Sequence, residues 1–210
     1  MPSAVVHLRV AYDLKKKLKV ENNGQFYIGA VSPDAVNIDG FADQSIRYPA
    51  HLRSLDYEEW KENVRSFFTK EHAKWAGRED HLKGFLLHIL TDIYWDEIAQ
   101  PEMFKALETL GAKPEELRDL KWKELYRFNN KLAGEWLYDE VFPDIKKGEC
   151  FAIGTVDTVR LRRYVEHLTT EYMTSVKAVD GEPLVCSMAM VQKVEAACLH
   201  ELTSISNSLK

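Results

Sequence analysis

An all-α fold of about six to eight helices is what this 210-residue chain predicts. Three observations carry the prediction. Apolar residues recur at the helical period, roughly 3.6 residues, through most of the length. Only one short segment, residues 149–156, reads as a strand. No internal repeat, low-complexity tract or linker interrupts the pattern. Residues 1–210 are therefore expected to form one helical domain, with the chemistry-bearing motifs in 1–98 and a helical remainder in 99–210.

The elements follow in order. Residues 4–19 place Ala4, Leu8, Ala11 and Leu18 on one apolar side, and Lys15, Lys16 and Lys17 read as a solvated helix end. Asn22-Asn23-Gly24 is a turn signal, and residues 24–40, with Gly29, Pro33 and Gly40, read as an irregular loop. Residues 57–76 resume the helical period through Trp60, Val64, Phe67, Phe68 and Trp75. Gly77 breaks it, and a second long helix is expected over 79–99. Pro101 suits the first turn of a short helix ending near Gly111, and Pro114 opens another running to about Val141. Phe142-Pro143 with Lys146-Lys147-Gly148 reads as a connector. Helices over 157–177 and from Pro183 to about Ser204 complete the chain, separated by the Asp180-Gly181 turn.

Composition narrows the function. Hydrophobic residues make up 45% and charged residues 29%, the balance of a globular chain rather than a disordered one. A net charge of −5 argues against generic nucleic-acid binding. No uncharged stretch approaches the roughly 20 residues of a membrane-spanning helix. The basic cluster near the amino terminus follows the apolar stretch, the reverse of a secretory signal. Cys150, Cys186 and Cys198 are odd in number, distant and without a CxxC pair, as expected of reduced thiols in a cytoplasmic protein.

The helix over 79–99 carries the strongest chemical signal. It is apolar nearly all round, through Leu82, Phe85, Leu86, Ile89, Leu90 and Ile93, and so belongs in the core. It also carries His88 and Asp92, which share one face at i, i+4. An ionised carboxylate buried alone is very costly, so Asp92 needs a cationic partner, a metal or a polar cavity. A self-satisfied His–Asp pair and a metal site both meet that need. His7 sits in an apolar helix start, Asp34 in Ser32-Pro33-Asp34-Ala35, and His51 in Tyr48-Pro49-Ala50-His51-Leu52. Each alone fits a packed, capping or turn residue as well as a ligand. His72, His81, His167 and His200 fall beside charged residues on amphipathic helices and read as surface or boundary histidines.

Taken in order, the strings HLRVA, FYIGAVSPDA, RYPAHL and GFLLHILTDIYW resemble the zinc-dependent phospholipase C family. That family shares its all-α fold with single-strand-specific zinc nucleases, and the resemblance covers about residues 1–98. It implies that Asp34, His51, His88 and Asp92 hold one zinc, and that Asp92 bridges to a second held also by His7. Asp34 and Asp92 would then be the catalytic carboxylates. It further implies that the free amino-terminal residue is a ligand; here that is Pro2, five residues before His7, once Met1 is removed. An ordinary trimmed terminus explains Pro2 equally well. The family's third metal uses another histidine soon after the His-x-x-x-Asp motif, whereas no histidine follows Asp92 until His167. One or two zinc ions are therefore implied, with weak or no action on phosphatidylcholine.

The function this implies is a metal-dependent phosphoester hydrolase, in which clustered zinc activates water against a small phosphoester or lipid headgroup. Arg47 and Arg53, flanking His51, are the nearest phosphate-holding cations in sequence. The non-enzymatic alternative is a degenerate relative that keeps a structural metal and acts as a binding or scaffold protein. An HD-type phosphohydrolase ranks lower, because the chain has no His-Asp dipeptide.

Overall fold

The computed structural model describes residues 2–176 and 179–207. Among them it is all-α: eleven α-helices with short 3₁₀ and π segments, and a lone antiparallel bridge, Ile153 with Val156, where the strand was expected. No helix of the described residues is long and apolar enough to cross a membrane. The expected end of a helix at Lys177 lies outside the described residues, as does Met1.

At the centre is α5 (Glu79–Tyr94), buried from Leu82 onward except for Lys83. Around it pack α1 (Ala4–Leu14), α2 (Asn23–Gly29), α4 (Tyr57–Glu71) and α11 (Met188–Asn207). Trp60, Trp95, Phe26, Tyr27 and Phe85 are the largest side chains shut off in this cluster.

The segment expected to be a loop is instead α2 followed by a 3₁₀ helix, Ser32–Asn37. Asn22 caps α2, its Oδ1 accepting from the Gln25 N–H at 3.1 Å. Of the glycines counted as turn formers, Gly40 does turn the chain, at φ 113°, but Gly29 is a contact point. A Cβ at Gly84 on α5 would lie 2.0 Å from the Phe26 carbonyl oxygen, and one at Gly29 on α2 would lie 2.1 Å from the His81 carbonyl oxygen. Two helices that lack Cβ atoms where they meet can bring their backbones together, and α2 and α5 do so.

Pro101 stands in the first turn of a short helix, as expected, but no break precedes that helix. Residues 79–109 form one unbroken run: α5, a π segment Trp95–Ala99, and α6 (Gln100–Thr109). The Gln100 N–H reaches back to the Trp95 carbonyl, the i→i+5 spacing, one residue before Pro101. The same arrangement recurs where the Phe142 N–H reaches Leu137, closing the π segment Trp136–Val141 just before Pro143. A proline in an α-helix crowds the carbonyl four residues back; one widened turn relieves that clash and the helix continues. The supposed connector at Phe142-Pro143 is thus helical, α8 (Phe142–Lys147). The helix expected to run from Pro114 to Val141 is a 3₁₀ turn, Pro114–Glu116, then α7 (Leu117–Leu132), interrupted at Ala133-Gly134. Residues 157–177 are divided as well, into α9 (Thr158–Thr170) and α10 (Tyr172–Val176). The last helix, α11, starts at Met188, not Pro183.

A candidate metal centre beside a cationic cavity

Five side chains converge where α1, the Ser32–Asn37 segment, α3 (Gln44–Ala50) and α5 meet. His88 and Asp92 come from one face of α5, as their spacing required. His7 comes from α1, and its ring stacks on that of His88 with centroids 3.7 Å apart. Asp34 comes from the 3₁₀ segment and His51 from the residue that ends α3. His7 Nε2 lies 3.3 Å from Asp92 Oδ1, and His51 Nε2 lies 3.3 Å from Asp34 Oδ1. Asp92 Oδ2 stands 3.7 Å from both His51 Nε2 and His88 Nε2. All five residues proposed from sequence are thus neighbours.

Their atoms approach a common space without pairing well. Both oxygens of Asp92, both ring nitrogens of His7 and Nε2 of His88 are buried without a hydrogen-bond partner. Leaving a fully buried carboxylate this way costs several kcal/mol unless something else satisfies it. Two triplets, His7/His88/Asp92 and Asp34/His51/His88, each place one ligand atom per residue within 4.8 Å of one another and could hold a metal ion. Donor type fits as well: imidazole and carboxylate are the ligands that zinc and similar divalent ions accept.

Backbone carbonyls orient two of the rings. His88 Nδ1 lies 2.8 Å from the Ala30 carbonyl, and His51 Nδ1 lies 2.9 Å from the Arg47 carbonyl. A carbonyl only accepts, so each Nδ1 carries a proton; the neutral His88 then presents its Nε2 lone pair to the cluster, whereas His51 Nε2 donates to Asp34 Oδ1 and must give up that proton to act as a ligand. The Ala30 contact depends on the close α2–α5 approach through Gly29 and Gly84. His51 is held further by Trp60, whose Nε1 donates to the His51 carbonyl at 2.8 Å, and is followed by Leu52 at φ 49°. A non-glycine residue in the left-handed region is uncommon, and here it turns the chain just after a site residue.

Electrostatics keep the carboxylates charged. For Asp92, burial opposes ionisation, but His7, His88 and His51 outweigh it and hold its pKa far below the usual carboxylate range. For Asp34, burial is likewise overcome, first by the His51 hydrogen bond. Burial pushes His88 down to about 3, reinforced by His7, so its imidazole is neutral at ordinary pH. His51 moves the other way: Asp34 and Asp92 outweigh its burial and raise it.

The cluster opens to a cavity of about 760 Å³ through Asp34, whose side chain is 15% exposed. Pro2, Ser3 and Ala4, at the start of α1, form part of the wall. Arg47 and Arg53, expected near His51, do line it. Arg53 pairs with Asp96 at 3.0 Å, and Arg47 lies over the Phe41 ring at 4.0 Å. Arg118, Lys121, Trp122 and Tyr126 line it from α7, far along the chain. Sequence reasoning missed these four, although their i, i+3, i+4, i+8 spacing marks one helical face.

His81, expected at the surface or boundary, is fully buried. It stacks on Trp75, with Nδ1 3.1 Å from Gln25 Oε1 and Nε2 3.4 Å from Ser32 Oγ. The charged neighbours Asp80 and Lys83 misled the reading, because they bond to each other and to the 18–22 turn and leave His81 facing inward. His167, expected at the surface or boundary, pairs with Glu171 at 3.2 Å at the end of α9 and also lines the cavity. Comparison of the chain with family models, curated proteins and solved structures finds no match.

Proposed function

We propose that the chain is a metal-dependent phosphoester hydrolase similar to the zinc-dependent phospholipases C, acting in the cytoplasm. The observation that carries this reading is the set of orphaned, buried ligand atoms on His7, His88 and Asp92, opening through Asp34 onto a cavity rich in Arg and Lys. Asp34, His51, His88 and Asp92 would hold one zinc, and Asp92 with His7 a second. Bound there, zinc supplies Lewis acidity and acidifies water near neutral pH.

The chain's own groups do the rest. Ala30 and Arg47 carbonyls fix the His88 and His51 rings, so that neither ring need turn for its Nε2 to act as a ligand. Asp34, at the cavity edge, would orient a nucleophilic water and accept its proton. Arg47 and Arg53 hold the phosphoryl oxygens and offset the charge that builds on them in the transition state.

A second reading, a non-catalytic protein with a structural metal, draws support from burial: only Asp34 of the five has appreciable exposure. The deciding experiment measures metal content of purified protein together with hydrolysis of bis(p-nitrophenyl) phosphate. Bound zinc with chelator-sensitive hydrolysis is expected. Bound zinc without hydrolysis would favour the structural reading, and protein that takes up no divalent metal would overturn both.

A further inference from the structure

Charge around the cavity is uneven. Four cations line it, Arg47, Arg53, Arg118 and Lys121, against two carboxylates, Asp34 and Asp96. Asp34 belongs to the ligand cluster, and Asp96 is paired with Arg53. On the α7 side, Lys121 donates to a neutral amide, Gln100 Oε1, at 3.0 Å, and its ammonium lies 5.0 Å from the Trp122 ring centroid. Arg118 is one helical turn earlier on the same face, and its side chain is exposed. Burial, then the like charges of Arg118 and Arg53, lower the Lys121 pKa despite Asp96 and Asp92. Arg118 and Lys121 thus put two cations on the α7 side of the cavity, with Asp96, already paired with Arg53, the carboxylate that acts most on Lys121.

We propose that the cavity takes a phosphoester bearing a second anionic group on the part distal to the reacting phosphate, and that Arg118 and Lys121 bind that group. This deepens the hydrolase reading and rests on it. A cationic headgroup such as choline is disfavoured by the same wall. The second anion, a phosphate or a carboxylate, is carried equally by a small soluble ester and by the headgroup of an acidic lipid.

The test compares two esters that differ only there: p-nitrophenyl ethyl phosphate and p-nitrophenyl carboxyethyl phosphate. One charge-assisted contact predicts a preference of about tenfold in kcat/KM for the carboxylated ester. The preference should shrink with added salt and fall to near one in the Arg118→Gln/Lys121→Gln variant. A parallel arm uses phosphatidylcholine vesicles with and without phosphatidylinositol monophosphate. Faster turnover of the phosphorylated headgroup than of the soluble pair places the anion on a lipid; the reverse places it on a soluble ester. Binding of propylene bisphosphonate against propylphosphonate, measured by calorimetry on the full chain, separates the two levels of the argument. If neither ester is cleaved but the bisphosphonate binds more tightly and loses that advantage in the variant, the hydrolase reading fails and the anion site stands. Equal kcat/KM for the two esters, or a preference that survives in a variant with an unchanged melting curve, overturns the proposal.

Discussion

His81 and His88 lie two turns apart on the same side of α5, both essentially inaccessible to solvent. Burial depresses both pKa values, to about 4 for His81, with a smaller push from Arg78, and to about 3 for His88. Their surroundings differ. His81 has a partner at each ring nitrogen and an indole against its face. His88 has one carbonyl at Nδ1, while Nε2 faces His7, His51 and Asp92 with no hydrogen bond of its own. A buried histidine with both nitrogens satisfied is a packing residue. One that leaves a lone pair beside an unpaired carboxylate is shaped for a ligand. Burial and pKa do not separate the two; the accounting of each nitrogen does.

The largest expected effect tests that distinction directly. If the chain is the proposed hydrolase, Asp92→Asn should cut phosphoester hydrolysis by about a thousandfold or more, because the amide is a poor ligand and brings no compensating charge. His88→Ala should remove most bound metal by elemental analysis, whereas His81→Gln should leave the stoichiometry unchanged. Loss of metal in His81→Gln, with the fold intact by circular dichroism, would erase the difference between the two histidines.

Next in size is Gly84→Ala. Its Cβ would sit 2.0 Å from the Phe26 carbonyl oxygen and 2.8 Å from the Ala30 nitrogen, so α2 and α5 must separate. We expect a loss of about 3 kcal/mol in chemical denaturation. Metal affinity should fall too, since the Ala30 carbonyl that orients His88 moves with α2. A stability change within error would show that the close approach is unimportant.

The pH dependence of His81 follows. Its folded pKa, about 4, lies below the ordinary value of 6.5, so the unfolded chain binds more protons between those limits. Its contribution is whole above pH 6.5 and is lost as pH falls toward 4, amounting to about 3 kcal/mol at most. Subtracting the denaturation profile of His81→Gln from that of the wild type isolates this slope. A flat difference curve would mean that His81 is not held neutral by its setting.

The smallest effect concerns His7. Removing its imidazole, or adding one residue ahead of Pro2, should weaken the second metal and spare the Asp34/His51/His88/Asp92 ion. Pro2 is itself buried and lines the cavity. Equal metal counts in tag-free, extended and His7→Ala protein would leave His7 a packing residue and reduce the centre to one ion.

Much of the helical content was legible because apolar spacing along one helix is a local quantity. The i, i+4 placement of His88 and Asp92 is dictated by helix geometry, and the cost of burying Asp92 already demanded cationic or metal company. Residues 23–37 were misread because Gly and Pro were counted as turn formers. Their effect depends on contact: Gly29 matters for what it lies against, and Pro33 opens a 3₁₀ segment. Pro101 does stand in the first turn of α6, but Phe142-Pro143 was misread as a connector, because one widened turn before each proline lets the helix continue.

Residue order and type by themselves determined the all-α class, the core position of α5 and the pairing of His88 with Asp92. Each follows from periodicity or from desolvation along a single stretch of chain. Only the tertiary structure decided that His81 is satisfied while His88 is not, and that α7 turns Arg118 and Lys121 toward a cavity built beside His51. Those outcomes depend on groups far away in sequence: Gln25 and Ser32 for His81, Ala30, His7 and His51 for His88, and residues between Asn37 and Arg53 that share the cavity lining with α7. Their meeting is set by how helices pack, which depends on side-chain volume and backbone approach across the whole core and is not written in the spacing of any one segment.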